Sequence, residues 1–338
     1  MSNVNLIVTS NKSEELVKNK KLPLDLKVML TQSRIEDWYE HWNGHVYLSF
    51  SGGKDSTVLA DIVWSIYPDV PAVFSNTGLE YPEIVQFVKK KLAEGRPIVI
   101  VRPERTFRDV VLKDGFPLVS KKVAEMVSRM QKPQTDRNAN TRRLYMTGVR
   151  RDGVYVAGSK IPEKWKSLIN APFKITNTCC DALKKDPFKK YQKETGRMPI
   201  TGVMGSEGGR RALMDTCNSF DGKAPQSRPM LFWDENDVWE YIRTRDIDYC
   251  EVYDDRVIDG RKVKGEKRTG CMFCAFGAHM EKDTTRFQRM AISHPKQWNY
   301  CINKLGMGKA LDFIGVEYHP LPEEEQLELF YEADQKSA

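Results

Sequence analysis

The chain has 338 residues, of which 40% are hydrophobic, enough to bury the core of one large domain or of two modest ones. Its 53 basic and 46 acidic residues give a net charge of +7, which favours anionic partners such as nucleotides or nucleic acid without requiring them. The N-terminal stretch lacks the apolar run of a signal peptide, and no window approaches the ~20 apolar residues of a membrane helix. We therefore expect a soluble, cytoplasmic protein with no membrane partner.

The first hundred residues predict an α/β fold. Residues 1–44 are predicted to form a helical lead-in, because Ile35, Trp38 and Trp42 recur at helical spacing. Strands and helices then alternate: we predict strands at 46–50, 72–75 and 97–101, and helices at 56–66 and 83–92. Such alternation is typical of a parallel sheet with right-handed crossovers.

A basic segment interrupts this pattern. Nine lysines and arginines lie between Lys121 and Arg151, so residues 120–172 are predicted to be partly helical and then to form an exposed basic insertion. The insertion is suited to hold a polyanion such as nucleic acid, and a solvated charged loop is the alternative. A strand at 200–204 and a helix at 234–245 complete a nucleotide-binding domain at 45–250, followed by a C-terminal region at 251–338.

A glycine-rich loop joins the first predicted strand to the next helix. Its sequence is Ser51-Gly52-Gly53-Lys54-Asp55-Ser56. Glycines let backbone N–H groups turn towards a ligand, and the helix N-terminus adds a positive dipole end, so a phosphate group fits there. Lys54 supplies charge, and the two serines can donate hydrogen bonds. Asp55 would repel bare phosphate, so a structural role or one through Mg²⁺ is expected. The alternative is an ordinary turn that caps a helix.

This loop resembles the S-G-G-x-D-S signature of the PP-loop ATP pyrophosphatases. The resemblance implies a Rossmann-like parallel sheet with helices on both faces, and ATP cleavage between the α- and β-phosphates, with pyrophosphate as the leaving group. After the second strand, Asn76-Thr77-Gly78 resembles the D-T-G segment of the same family. Asn76 replaces the usual Asp, which weakens a direct metal role at this position, although Glu80 is nearby. A simple turn is the alternative for this stretch.

Four of the seven cysteines form two tight pairs, Cys179-Cys180 and Cys271-x-x-Cys274. In a reducing compartment such pairs indicate a metal site rather than disulfides. Adjacent cysteines are awkward ligands for one tetrahedral zinc, whereas an iron–sulfur cluster offers separate iron atoms to neighbouring sulfurs. We therefore predict a 4Fe–4S cluster held by these four residues, with zinc or unligated core thiols as alternatives.

In this region the sequence resembles the adenosine phosphosulfate and phosphoadenosine phosphosulfate (APS/PAPS) reductases and their relatives in DNA phosphorothioation. Residues 179–187 match C-C-x-x-R-K-x-x-P, except that Leu183 replaces the Arg, and Lys184 keeps its place. The segments 233–242 and 270–274 also fit, so the resemblance covers residues 40 to 280. It implies that Lys184 stabilises an anionic cluster or substrate. Arg210 and Arg211 stand in a loop of irregular spacing and are candidates for gripping phosphate or sulfate oxygens.

The reductases in this resemblance use a cysteine of a C-terminal E-C-G-L-H-like motif, which this sequence lacks. Cys301 follows the C-x-x-C, but its setting predicts the interior of a helix at 295–305. Together with the intact Lys54-Asp55-Ser56, this favours ATP-dependent, adenylating sulfur transfer to a nucleotide or nucleic acid, with a sulfur donor or reductant protein as partner. The alternatives are an APS/PAPS reductase with an altered nucleophile and a non-catalytic nucleic-acid-binding module with a structural cluster.

Overall fold

The computed structural model describes residues 12–209, 211–222 and 224–320. The strands, in chain order, are β1 Val46–Phe50, β2 Ala72–Ser75, β3 Ile98–Val101, β4 Leu118–Val119, β5 Met198–Thr201, β6 Asn218–Ser219, β7 Gln226–Ser227, β8 Arg256–Ile258, β9 Arg261–Val263 and β10 Ala275–Phe276. The α-helices are α1 Lys12–Asn19, α2 Leu24–His41, α3 Lys54–Ile66, α4 Pro82–Ala93, α5 Phe107–Asp114, α6 Lys121–Met130, α7 Asp136–Thr147, α8 Asp186–Thr195, α9 Glu235–Arg245, α10 Arg286–Ser293, α11 Pro295–Asn299 and α12 Met307–Ile314.

The chain forms two compact units, each built from separate segments. Unit 1 contains the described residues up to Asn76 together with 82–101 and 187–250, and unit 2 contains 77–81, 102–186 and the described residues from Glu251 onward. The chain passes from unit 1 to unit 2 after Cys250, and the predicted domain boundary at this position stays a prediction. The predicted division was sequential, whereas in the structure the segment 102–186 groups with the C-terminal region. The reason is a long-range pairing: β4 and β10 are parallel neighbours, with Leu118 opposite Ala275.

Unit 1 contains the predicted parallel sheet. Its strand order is β3-β2-β1-β5-β7-β6, and all neighbours are parallel except β6 and β7. Tyr47 of β1 packs against Tyr191 of α8, with ring centroids 5.2 Å apart. Phe50 lies three residues later, so it points to the opposite face, where it contacts Trp64 of α3. Helices therefore cover both faces of the sheet, as predicted.

Most predicted elements of unit 1 are confirmed. Their strands are short apolar runs that alternate with helices, and this pattern is visible in the sequence. The strands β1 and β2 have the predicted bounds, and β3 begins one residue later than predicted. The strand predicted at 200–204 is shifted, since β5 ends at Thr201 and the chain leaves the sheet at Gly202. The predicted helix at 234–245 is α9, which Asp234 caps by accepting hydrogen bonds from two backbone N–H groups.

Unit 2 holds the basic segment, and its two helices differ. The helix α6 is amphipathic and buries Val123, Met126 and Val127, so the first part of the segment belongs to a core. The helix α7 buries no side chain. The segment is partly helical, and α7 is exposed. Ile161, Trp165 and Leu168 are buried, so the structure does not leave the whole predicted insertion up to residue 172 exposed. Across the described ranges, no helix is long and apolar enough to span a membrane.

Candidate functional site

The loop between β1 and α3 depends on one of its two glycines. Gly52 has φ of +71°, and a β-carbon at this position would lie 2.9 Å from Val88 Cγ2 and 3.0 Å from Ile84 Cγ2 of α4. Only glycine suits that conformation and that space. Gly53 precedes the helix with φ of −81° and ψ of 159°, an extended conformation that any residue adopts. Gly52 therefore sets the path of the loop.

Hydroxyl groups close the loop around the start of α3. Ser56 Oγ donates to the Gly53 carbonyl at 2.9 Å and accepts from the Ser51 N–H at 3.1 Å. Thr57 Oγ1 donates to the same carbonyl at 3.0 Å. The N–H groups of the first turn of a helix have no acceptor within the helix, and they carry the positive end of its dipole. The loop is thus prepared to bind an anion through its backbone.

Lys54 and Asp55 place opposite charges at this helix start. The Lys54 side chain is 3% exposed, and its Nζ lies 3.4 Å from Asp55 Oδ1 and 3.2 Å from Glu235 Oε1 of α9. Burial raises the pKa of Asp55, and the nearby Lys54 opposes that shift. Asp55 Oδ1 is buried and has no hydrogen-bond partner among the described residues. A buried carboxylate oxygen of this kind fits a divalent cation such as Mg²⁺.

The segment after β5 lies beside this loop. A β-carbon at Gly202 would stand 3.4 Å from the Asp55 carbonyl oxygen, so the backbone of the segment touches the first turn of α3. The strands β1 and β5 are parallel neighbours, but the chain continues from β1 towards β2 on the other side. That is a topological switch point, where open α/β sheets bind nucleotides at the carboxyl ends of their strands.

Two arginines of this segment, Arg210 and Arg211, were predicted to bind phosphate or sulfate oxygens. Arg211 forms an ion pair with Glu207, and Glu207 also accepts a hydrogen bond from the Met204 N–H at 3.2 Å. Arg210 lies outside the described residues. A role for either arginine in gripping phosphate or sulfate stays a prediction.

Residues 76–80 form a turn after β2. The Asn76 N–H donates to the Val101 carbonyl at 2.9 Å, which continues the sheet by one bond in unit 1. In unit 2, Thr77 donates to the Glu80 carboxylate through both its N–H and its hydroxyl, at 2.9 and 2.8 Å, and Gly78 has φ of +76°. This bonding holds Glu80, the acidic neighbour of Asn76, in a local turn.

The two cysteine pairs both belong to unit 2. Cys179 and Cys180 precede a π-helical turn at Asp181–Lys185. Cys271 and Cys274 flank a turn closed by the Cys274 N–H, which donates to the Cys271 carbonyl at 3.0 Å. The π-helical turn departs from regular α-helix, as short π segments at functional sites often do.

The four thiols act on one another's pKa. The hydrogen bond between Cys179 and Cys180 raises the pKa of Cys179 and lowers that of Cys180, and the charges of Cys271 and Cys274 further raise the pKa of Cys179. Burial raises the pKa of Cys271 to about 12. The four thiols therefore share one region of unit 2, and cysteine sulfur is the kind of ligand that holds a 4Fe–4S cluster. In the described ranges, no three Cys, His, Asp or Glu side chains are grouped to hold a single metal ion.

Lys184 lies close to this group. Burial lowers its pKa, but Cys271 and then Glu80 act in the opposite direction, and the net effect is a raised pKa. A half-buried lysine that remains charged lowers the free energy of anionic sulfur next to it. The role that the sequence resemblance implies for Lys184 stays a prediction.

Sequence reasoning missed two residues beside these sites. Arg286 of α10 donates to the Cys274 carbonyl at 3.1 Å and pairs with Glu281, so it holds the C-x-x-C turn. Glu235 pairs with Lys54 from a distant segment. Neither belongs to a motif, and nothing local in the sequence distinguishes them from surface charges.

Cys301 lies in a helical segment, as predicted. It is fully buried, and burial raises the pKa of its thiol.

The family model described as the phosphoadenosine phosphosulfate reductase domain matches residues 45–155 and 154–276 of the chain, which together include the loop at 51–56 and both cysteine pairs.

Two relatives illustrate the degree of similarity. An adenosine 5'-phosphosulfate reductase of Staphylococcus epidermidis is 24% identical over 218 residues, which are 64% of this chain and 68% of that protein. An uncharacterized protein of Methanocaldococcus jannaschii is 23% identical over 297 residues, which are 87% of this chain. This chain spans 56% of the length of the Methanocaldococcus protein.

Two solved structures align with this chain at lower identity. A phosphoadenylyl-sulfate (PAPS) reductase from Candida auris aligns with a TM-score of 0.41 and 15% identity, covering 80% of this chain and 99% of that one. The U34-tRNA thiolase NcsA from Methanococcus maripaludis, solved with its [4Fe–4S] cluster, aligns with a TM-score of 0.35 and 14% identity, covering 78% of this chain and 70% of that one.

Proposed function

The chain belongs to the phosphoadenosine phosphosulfate reductase domain family, and from this premise we propose that it binds an adenine nucleotide at residues 51–56 and uses it for sulfur chemistry. The specific reaction that we propose is ATP-dependent, adenylating sulfur transfer to a nucleotide or nucleic acid. The observation that carries the proposal is the loop itself: a backbone prepared for an anion, with the buried ammonium of Lys54 and the half-buried carboxylate of Asp55 at the same helix start.

The loop residues have distinct tasks in this reaction. An acceptor oxygen attacks the α-phosphorus of ATP, the bond from that phosphorus to the bridging oxygen breaks, and pyrophosphate leaves with the electron pair. The N–H groups at the start of α3 bind phosphate oxygens, and Lys54 offsets the charge that develops on the leaving group. Asp55 would hold Mg²⁺, which supplies charge neutralisation when bound. Asn76, Thr77, Gly78, Arg210 and Arg211 are proposed to contribute to nucleotide binding.

The cysteines are assigned to the sulfur step. Cys179, Cys180, Cys271 and Cys274 would hold a 4Fe–4S cluster, which supplies electron transfer and iron for sulfur ligation when bound. Lys184 stabilises anionic sulfur there, and Arg286 fixes the turn that carries Cys274. A sulfur donor or reductant protein is required as partner. Free thiols of this kind persist in a reducing compartment, so we propose the cytoplasm as the location.

The second candidate is a sulfonucleotide reductase, and the similarity to an adenosine 5'-phosphosulfate reductase favours it. A reductase needs a nucleophilic thiol with access to the substrate and a depressed pKa. Cys301 is fully buried, and burial raises the pKa of its thiol. Within the described residues, Cys301 therefore does not meet that requirement, and we place the transferase first.

One experiment separates the two candidates. Anaerobically purified protein is incubated with ATP, with APS and with PAPS, and the products are identified. Formation of AMP and pyrophosphate from ATP supports the proposed function. Release of sulfite from APS or PAPS, with ATP untouched, supports the reductase instead and rejects the transferase.

A further inference from the structure

Unit 2 contains a cavity of about 740 Å³ that neither proposed reaction uses. It lies between the ends of α5 and α6 and the segment that leads to Cys179. Its wall is fixed by Gln131, whose amide donates to the Leu168 and Phe173 carbonyls at 3.2 and 2.9 Å and accepts from the Ile175 N–H at 2.9 Å. The cavity is therefore preformed, and its volume lies in the range of ligand-binding pockets.

Charged side chains dominate the wall, and some of them are neutralised. Arg105 pairs with Asp114 at 2.8 Å, and Arg129 pairs with Glu125 at 2.8 Å. These two pairs account for both acidic residues of the wall. The charge that remains must come from the other cations.

Three lysines provide that charge. Lys113, Lys132 and Lys174 line the cavity, are exposed, and have no carboxylate partner among the described residues. The Lys174 ammonium donates to the Lys113 carbonyl at 3.3 Å, which holds these two residues together. A concave wall with three unneutralised cations concentrates positive potential and selects an anionic ligand.

The position of the cavity indicates a ligand longer than one nucleotide. At one end, its wall runs through Asn177 and Thr178, directly before Cys179. At the other end, the Arg142 guanidinium donates to the carbonyls of Met130 and Lys132 at 2.8 and 2.9 Å, and so fixes α7 to the rim.

The helix α7 extends the positive surface away from the cavity. It buries no side chain, and it exposes Arg137 and Arg143. Residues 136–143 of this helix are polar apart from Ala139, so this part of it has no apolar face to bury. A continuous anionic chain would contact both the cavity and α7.

We propose that the cavity and the exposed side of α7 bind the phosphodiester backbone of a single-stranded nucleic acid. The inference rests on the proposed function, because the bound strand would be the acceptor, held beside Cys179. The lining residues include no aromatic side chain, so phosphate contacts rather than base stacking provide the affinity. A rigid duplex does not enter a cavity of this volume, whereas a single strand can splay into it.

The test compares two triple variants of the full chain. In the first, Lys113, Lys132 and Lys174 are changed to Ala. In the matched control, the exposed Lys20, Lys89 and Lys193, which do not line the cavity, are changed to Ala, so the net charge falls equally. Binding of fluorescein-labelled oligouridylate and oligothymidylate is measured by anisotropy over a range of salt concentrations. Thermal unfolding checks that each variant is folded.

We expect both wild type and the control to bind a labelled strand with strong salt dependence. The cavity variant should bind about ten- to a hundredfold more weakly, and its log–log salt slope should fall by about 2, because each phosphate contact on a single strand contributes roughly 0.7. Equal weakening in the two variants overturns the proposal, since net charge alone would then explain it. Stronger binding of the matched duplex, or displacement of the strand by AMP or inorganic phosphate at equal phosphate concentration, overturns it as well.

Oligouridylate and oligothymidylate represent RNA and DNA, which share the phosphodiester backbone. Tighter binding of either strand supports the proposal. Failure of this inference is distinguishable from failure of the proposed function. Strand binding is measured without ATP, and pyrophosphate release from ATP is measured both with and without a strand, because the strand would supply the acceptor oxygen. Pyrophosphate formation in a protein that binds no strand overturns only the inference. Strand binding in a protein that never cleaves ATP overturns only the adenylation.

Discussion

The buried ammonium of Lys54 lies 3.2 Å from a carboxylate oxygen of Glu235, the first residue of α9. Glu235 is 59% exposed, whereas Lys54 is 3% exposed, so a solvent-accessible acid holds the cation that we propose for phosphate binding. Lys54 also lies 5.9 Å from the Trp239 ring centroid. A nucleotide phosphate bound as we propose would compete with the Glu235 carboxylate for this one ammonium group.

Changing Glu235 to Gln should therefore strengthen ATP binding about two- to fivefold, since an exposed ion pair contributes only ~0.2–1 kcal/mol. The measurement is calorimetric titration of ATP into the two proteins at low ionic strength. Changing Glu240 to Gln, an exposed acid on the same helix, removes the same charge and serves as the control. Weaker ATP binding in the Glu235 variant would mean that this acid orients Lys54 instead of competing for it.

The two loop glycines provide a second prediction. A β-carbon at Gly52 meets Val88 and Ile84 side chains at 3.0 Å or less and also strains a positive φ, whereas Gly53 is extended. We expect Gly52→Ala to lower ATP affinity at least tenfold and to destabilise the fold by about 1–3 kcal/mol. Gly53→Ala should cost less than about 1 kcal/mol. Denaturant unfolding and calorimetry of both variants check this, and equal effects of the two substitutions would contradict it.

The difference between these glycines shows a limit of prediction from sequence. The signature Ser51–Ser56 located the loop, because a strand, a glycine pair and a helix follow one another locally. Which glycine takes the left-handed conformation depends on α4, which is more than 25 residues away in the chain. The same limit applies to Glu235, whose contact with Lys54 comes from the packing of α9 rather than from any motif.

The organisation of the chain shows this limit on a larger scale. The strands β1 to β3 could be predicted because each is a short apolar run between helices. The pairing of β4 with β10 could not, since each has two residues and 155 residues separate them. That pairing brings the segment of Cys179 together with the C-terminal region. The sequence thus indicated the four cysteines by their spacing but not the unit that contains them.

The Asp55 carboxyl leads to a prediction about pH. Burial raises the pKa of Asp55 above its ordinary value of 3.8 in spite of Lys54. Between 3.8 and the raised pKa, the folded protein binds more protons than the unfolded chain, so the free energy of unfolding falls as pH rises. At neutral pH the ionised carboxylate therefore costs stability, and Asp55→Asn should raise Tm.

The gain in Tm should disappear as pH falls below 3.8, where Asp55 is protonated in both states. The same variant should bind ATP more weakly when Mg²⁺ is present, because a carboxylate is the better ligand for that cation. Thermal unfolding across pH and calorimetry with and without Mg²⁺ measure the two effects. A lower Tm at neutral pH would show that the attraction between Lys54 and Asp55 outweighs burial.

The last prediction compares two cysteines that differ in setting. Cys271 belongs to the coupled thiols, whereas Cys301 is fully buried in the helical segment that follows α11. Cys271→Ala should remove most of the iron and sulfide from anaerobically purified protein, with loss of the brown absorbance. It should also lower Tm, because metal binding is coupled to folding. Cys301→Ala should keep iron, sulfide and most of the turnover.

The comparison of Cys271→Ala with Cys301→Ala also tests the choice between the two candidate reactions. Removing one buried sulfur at Cys301 leaves a small cavity, so we expect a loss of about 1 kcal/mol in unfolding free energy and little else. Stoichiometric zinc without sulfide in the wild type would reject the cluster. Loss of turnover in Cys301→Ala, with iron content and nucleotide binding intact, would instead identify Cys301 as the nucleophile. Because such a thiol must become accessible, that result would require the segment at 300–304 to open, and the reductase would then replace the transferase.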